Sequence, residues 1–247
     1  MDSTSLVKIK RYIIVSAFLL VFIFSLAANL PAWVLGNVVE KYSQGKLKIY
    51  NQTGTFWTGS GLFVAIDNNG KQSAPLLMIN WKIRLGINKF VDAKFTIDNN
   101  QIAEVYLAKN GLNLDNLNLS LSISQVSHLV NVITSFGLSG NLNLSCRHMM
   151  LSSKNSSGTF NINLDNVSSN MSPVNPLGSY QISFDAENGG LNVSSNPNSA
   201  LQLNGSGSIR GLNLKGSIDK TKSEKMLQFI SVLGMPGADG TYNIKVF

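Results

Sequence analysis

Two histidines, His128 and His148, and one cysteine, Cys146, are the first places to look for chemistry in this sequence. A structural or catalytic zinc site draws on closely spaced pairs of Cys, His or carboxylate ligands. Neither histidine has such a neighbour, so both read as satisfied or solvent-facing side chains. A lone cysteine among alternating apolar residues reads as a small buried hydrophobe, and it rules out an intramolecular disulfide. Ser217-Ile-Asp-Lys220 matches the S-x-x-K spelling of serine acyl-enzymes, but S-D-N and K-T-G are missing. Gly205-Ser-Gly207 is a fragment of a phosphate loop without its third glycine, and strand-like residues follow where a helix should open. Asp185 and Glu187 fall on one face of a strand beside an Asn-Gly-Gly turn, with nothing near them to raise a pKa for acid–base work. No catalytic, cofactor-binding or metal-ligating residue is therefore assigned. Ser217, His128, His148 and Asp185 are expected to be non-catalytic, and neither an enzyme activity, a cofactor nor a small-molecule substrate is expected.

The stretch around which the chain is organised is 12–30, from Tyr12 to Leu30, which holds no charge. As a helix it would rise about 28 Å, close to one hydrocarbon core. Lys8, Lys10 and Arg11 stand directly before it against Asp2 alone, and basic residues stay on the cytoplasmic side, so the rest of the chain should be exported. A cleaved signal peptide also fits, because Ser25-Leu26-Ala27 offers small residues at a cleavage spacing. The reading taken is a retained anchor: the apolar run is longer than a signal core, and Asn29-Leu30-Pro31 carries it on into a helical pattern. Pro31 opens a second, amphipathic stretch with Leu35, Val38, Val39 and Tyr42 on one stripe and Gly45 as its stop. It either leans on the membrane surface or begins the exported domain.

The formal charge is +7 on only 13% charged residues. No dense basic run or aromatic-interleaved patch of the nucleic-acid-binding kind is present. From Leu47 onward the pattern has a period of two. Val91, Ala93, Phe95 and Ile97 alternate with polar residues; so do Phe160, Ile162 and Leu164, then Tyr180, Ile182 and Phe184, and finally Tyr242, Ile244 and Val246. Asn-Gly turns at 68–70, 110–111 and 188–190, and Ser-Asn-Pro-Asn at 195–198, punctuate the runs. Leu112 and Leu114 lie out of phase with Leu117, Leu119 and Leu121, which demands a bulge or turn at Asp115-Asn116. Val126, Leu129, Val130 and Ile133 make one helical stripe, and Met226, Phe229, Ile230 and Leu233 make another behind a capping box at 221–224. Such strands suit antiparallel sheet with one packed and one wet face. An outer-membrane barrel is rejected, because Phe247 lies out of phase with Tyr242, Ile244 and Val246.

One box has no place in plain alternation: Gly54-Thr55-Phe56-Trp57-Thr58-Gly59, with Ile79-Asn80-Trp81 on the following hairpin. Its glycines permit tight turns or close backbone approach, and its tryptophan is large and amphipathic. Trp57 and Trp81 are expected to be core residues between sheet and helix, with a partner-binding anchor as the alternative. The box, the basic leader and span, Leu30-Pro31-Ala32, Asn175-Pro176-Leu177-Gly178-Ser179-Tyr180, Leu201 through Gly207, and Leu233-Gly234 through Tyr242 together resemble the type II secretion system protein N (general secretion pathway protein N) family. These are bitopic inner-membrane proteins of Gram-negative bacteria. The resemblance runs from the anchor almost to Phe247, and its strongest element is Gly54, Thr55, Phe56, Trp57 and Gly59, with Phe56 standing where Leu is expected.

The resemblance implies no catalytic residue. It implies an accessory or assembly component of the secretion machine, making protein–protein contacts with other inner-membrane and periplasmic components. The expected architecture is mainly β: a cytoplasmic N-terminus at 1–11, a transmembrane helix at 12–30, and an antiparallel β-rich periplasmic domain at 31–247 with a few short amphipathic helices. The expected location is the cell inner membrane, single-pass, in contact with the bilayer through the N-terminal helix. A second reading makes the apolar face of a curved sheet a groove for an acyl chain, and the protein a periplasmic lipid carrier.

Overall fold

The computed structural model describes residues 3–66, 72–98, 101–129, 131–218, 226, 229, 234–236 and 241–245. The protein is mainly β. Helices α1 (Ser3–Ala28) and α2 (Trp33–Tyr42) lead into strands β1 (Leu47–Gly54), β2 (Thr58–Ile66), β3 (Gln72–Leu85), β4 (Lys89–Ile97), β5 (Gln101–Ala108) and β6 (Gly111–Ser122). A 3₁₀ helix (Ile123–Leu129) and α3 (Asn131–Ser135) interrupt the strands. The chain then continues through β7 (Leu138–Leu151), β8 (Ser157–Ser169), β9 (Gly178–Asp185), β10 (Gly190–Ser195), β11 (Leu201–Ser208), β12 (Gly211–Ile218), β13 (Met235–Pro236) and β14 (Tyr242–Lys245).

Among the described residues all strands pair antiparallel in one 14-stranded sheet, and from β1 to β12 each strand lies beside its neighbour in sequence. An open sheet this wide curls or splits, since each strand adds twist. Here it curls around the 3₁₀ helix, which contacts β2 and β3 on one side and β6 and β7 on the other. On a flat sheet β3 and β7 would lie about 19 Å apart. The Gln125 side-chain amide reaches across to donate to the Pro75 carbonyl at 3.1 Å, and Leu76 packs with Ile123 and Val126.

The apolar phase of each strand faces this concavity. Trp81, Ile79, Ala93, Ile97 and Ala103 form one core with Ala32 and Ile49; Leu142, Val167 and Tyr180 join Ile123 and Val126 in a second; Leu177, Ala200, Leu201, Met226 and Phe229 form a third. The expected helical stripe Val126–Ile133 thus faces the core as two short pieces, a 3₁₀ helix followed by α3, instead of one α-helix. Of the stripe at 226–233, Met226 and Phe229 are helical and buried, while Ile230, Leu233 and the capping box lie outside the described residues. So do the turn at 68–70, Val130, Lys220, Val246 and Phe247.

The phase change at Asp115-Asn116 takes a form the sequence did not disclose. Strand β6 is unbroken, and its register with β7 is kept on both sides, Asp115 opposite His148 and Leu117 opposite Cys146. Asn116 itself adopts φ 55°, the left-handed region. That single residue restores Leu117 and Leu119 to the apolar face, and the neighbouring β7–β8 ladder absorbs a register shift between Ser145 and Met149. Asn51 (φ 51°) in β1 and Asn166 (φ 52°) in β8 accompany register shifts in the same way. Asparagine is the residue other than glycine that tolerates this region best.

Helix α2 begins the sheet domain. Leu35 and Val39 pack on the first core, Gly36 lies against Gln52 of β1, and Glu40 pairs with Lys48 at 2.9 Å. Val38 and Tyr42, expected on the same stripe, are exposed. Helix α1 starts before Tyr12 and ends at Ala28, short of Leu30. Among the described residues no helix is long and apolar enough to cross a membrane. The side chains of α1 are described from Tyr12, and residues 12–28 rise about 25 Å against a hydrocarbon core of ~30 Å.

Candidate functional site

The box at 54–59 is the turn between β1 and β2, and it joins α1 and α2 to the sheet. Gly54, at φ 87°, lets the chain reverse where any side chain would meet the Thr58 carbonyl 2.4 Å from its Cβ. Thr55 closes the turn: its backbone N–H donates to Thr58 O at 2.8 Å, and its hydroxyl accepts from Thr58 N at 3.1 Å. The reversal brings two main-chain segments together. Phe56 N donates to Leu30 O at 2.7 Å, Ala32 N donates to Gly54 O at 3.3 Å, and Pro31 bridges Thr55.

The two indoles fasten opposite sides of this junction. Trp81, 2% exposed, lies under the turn and donates from Nε1 to the carbonyls of Phe56 (3.1 Å) and Thr55 (3.2 Å). Gly59 has no side chain because the Trp81 ring occupies that space; a Cβ would stand 2.5 Å from it. Trp57 is half-buried, packs on the same core, and meets Phe56 edge to face with ring centroids 5.1 Å apart. Its Nε1 donates at 2.7 Å to the carbonyl of Ala27, in the last turn of α1. That carbonyl is one of the orphan acceptors at a helix C-terminus, so Trp57 caps α1 from a position thirty residues on. Ile83 N completes the junction by donating to Trp57 O at 2.7 Å, which ties the turn to β3.

Beside the box lies a shallow groove of about 490 Å³, lined among others by Thr53, Thr58, Ser60, Lys82, Lys94 and Ile102. Lys82 and Lys94 stand directly opposite each other across β3 and β4. Further along the same sheet face, Glu104 receives Lys89 and also Lys94 at 3.4 Å, while the Lys89 ammonium sits 3.8 Å over the Tyr106 ring. The Lys89 hydrogen bond holds Glu104 below the usual carboxylate range. Burial pushes the neighbouring Asp92 up, and its hydrogen bond and repulsion with Glu104 push it further. These are ion pairs of a sheet surface.

The remaining candidates are dispersed. Cys146 is buried in β7, and burial raises its thiol. His148 pairs through Nδ1 with Asp115 Oδ1 at 2.5 Å, a cross-strand partner that no short motif could reveal. His128 lies in the 3₁₀ helix, and Ser217 in β12 opposite Gln202. Gly205 and Gly207 lie inside β11, where β12 backbone approaches within 2.3 and 2.2 Å of any added Cβ, so they serve sheet packing. Asp185 ends β9 and accepts from Glu187 N at 2.9 Å and Asn188 Nδ2 at 2.8 Å. Glu187 therefore belongs to the turn and does not share a strand face with Asp185, contrary to the expectation from spacing.

The sequence reading found both tryptophans and the glycines but missed what the indoles hold: the Ala27 carbonyl for Trp57, and the Thr55 and Phe56 carbonyls for Trp81. Main-chain acceptors carry no residue-type signal.

No curated protein and no solved structure matches the chain. Residues 46–245 match the family described as type II secretion system (T2SS), protein N, a family of secretion-system components and not a known enzyme family. That match spans the sheet from the start of β1 to the end of β14, and the chain belongs to the type II secretion system protein N family.

Proposed function

We propose that the protein is an accessory or assembly component of the type II secretion system, anchored in the inner membrane by α1 and making protein–protein contacts in the periplasm through its sheet domain. The observation that carries the anchor is the state of α1: every described side chain from Tyr12 to Leu26 is exposed, and nearly all are apolar. A helix that is apolar all round and packs on nothing in its own chain requires a non-aqueous neighbour. Lys8, Lys10 and Arg11 before it support a cytoplasmic N-terminus. The tryptophan junction supports retention of α1, since it uses the Ala27 carbonyl as a structural acceptor. The site holds backbone segments in place, which suits an assembly part better than a catalyst.

The carrier reading has less support. The apolar cleft on the concave face, lined by Val105, Leu112, Leu114, Met149 and Leu151, measures about 190 Å³. Small-molecule sites start near ~300 Å³. Crosslinking in cells, followed by mass spectrometry of the detergent-purified full chain, should recover secretion subunits, and a deletion strain should release less exoprotein. A stoichiometric bound lipid, with no secretion subunits and normal exoprotein release, would overturn the assembly reading in favour of the carrier.

A further inference from the structure

We propose that the end of the sheet next to α1 is a membrane-contact surface, whose apolar row dips into the headgroup region of an anionic bilayer. The inference rests on the anchor reading above. A sequential meander puts alternate turns at one end. The turn at 55–57, which bonds α1, therefore lies at the same end as the turns at 86–88, 109–110, 152–156, 186–189 and 209–210. At this end the concave face loses its cover. Leu85, Val91, Leu107, Leu112 and Leu151 are successive cross-strand partners on β3 to β7, forming one continuous row. They are 66%, 37%, 43%, 45% and 39% exposed. Ile87 and Ile209 project from the turns themselves at 89% and 69%, and Phe90 sits exposed at the β4 register shift. Exposed apolar residues elsewhere on the sheet, such as Met78, Ile102 and Met171, form no such row.

A contiguous apolar row of this extent marks an interaction surface. Its charge selects the partner. Lys109, Lys154 and Arg210 stand at three of these turns, and Lys89, beside a fourth, is paired with Glu104, while Asp185 and Glu187 supply acids at one. Cations at the rim over apolar side chains match anionic phospholipid, the headgroup outside and acyl carbon beneath. Position argues the same way. Trp57 fastens the β1–β2 turn to the end of α1, and Ile83 N ties that turn to β3, so the leucine row begins beside the point where the anchor leaves the sheet. A protein partner would have to occupy space already adjoining the bilayer.

The test uses the full chain in nanodiscs of phosphatidylethanolamine and phosphatidylglycerol. Single cysteines for spin labelling are placed at Phe18 in α1, at Ile87, Leu107 and Ile209, and at Met171 and Asn198 in turns at the far end. Native Cys146 is 2% exposed, and the unsubstituted chain controls for its labelling. The expected result is Phe18 accessible to oxygen and closed to aqueous nickel. Ile87, Leu107 and Ile209 should be shifted toward oxygen, and Met171 and Asn198 should remain aqueous. Replacing phosphatidylglycerol by phosphatidylcholine, or Lys109→Glu with Arg210→Glu, should reduce the shift at Leu107 and Ile209. Tip labels as aqueous as the far-end labels, with Phe18 in hydrocarbon, would overturn the contact and leave the anchor standing. Tip labels closed to both reagents would overturn it in favour of a protein contact. An aqueous Phe18 would defeat the anchor and the contact together.

Discussion

Trp57 sits in the β1–β2 turn and Trp81 inside β3 beneath it, and they donate to different segments, one to α1 and one to the turn. Their substitutions should therefore part company. Trp81→Ala empties the centre of the first core and leaves two carbonyls without their donor, a loss of about 3–5 kcal/mol. Trp57→Phe keeps most of the apolar contact and removes one hydrogen bond, about 1 kcal/mol. Thermal unfolding of the detergent-purified chain should show a large drop for the first and a small one for the second. Equal effects would mean that Trp57 is as much a core residue as Trp81. The carboxylates give a second residue-level prediction, in pH. Glu104 is held low, so its contribution to stability is complete above its unfolded pKa and is lost as pH falls through its lower folded value. Asp92 is held high, so the folded chain binds its proton first, and lowering pH through that folded value relieves repulsion and favours the fold. Asp92→Asn should accordingly raise the unfolding midpoint slightly near neutral pH, within about 0.5 kcal/mol, and remove the early gain on acidification. Glu104→Gln should instead lower the midpoint near neutral pH and remove the later acid loss. A titration of unfolding midpoints with the two variants exchanged in sign would contradict the assignment.

At the scale of elements, the alternation of Val91 to Ile97 or Phe160 to Leu164 was legible because the side-chain period of a strand is two wherever one face is buried. The box at 54–59 was legible as a special turn, since paired glycines around a tryptophan fit no strand. The helical stripe at 126–133 was legible in position but not in form: periodicity near three to four residues does not separate a 3₁₀ helix from an α-helix over so short a run. The phase break at 115–116 was visible, yet its solution was not. An inserted residue and a left-handed residue both restore apolar parity, and only the register of β6 with β7 distinguishes them. The distinction is testable. Asn116→Gly should leave stability nearly unchanged. Asn116→Val should cost about 1–2 kcal/mol, because a β-branched side chain is strained at φ 55°. Denaturant unfolding that ranks valine equal to glycine would remove the left-handed residue from the account.

For the whole molecule, the decisive relation is between the N-terminal helix and everything after it. The sheet is an open meander, so its neighbours are local in sequence, but the junction at the box joins Ala27 to Trp57 and Leu30 to Phe56, across the boundary between helix and domain. A signal peptide cut after Ala27 would take away the acceptor of Trp57 Nε1, and it would release the chain just before Leu30 and Pro31, which bond the turn. Residues 28–32 would then be a free terminus laid across the β1–β2 reversal. A domain meant to be released has no use for an indole capping the helix that is to be discarded. If α1 is the anchor proposed above, the chain purified from membranes should have the mass of the uncut sequence, and Trp57→Phe should loosen the helix without releasing the protein. Alkaline phosphatase joined after Phe247 should be active, placing the sheet domain on the exported side. A mature mass matching a chain that starts at Ala28 would replace the anchor with a signal peptide; an inactive fusion on an uncut chain would instead reverse the orientation while keeping the helix.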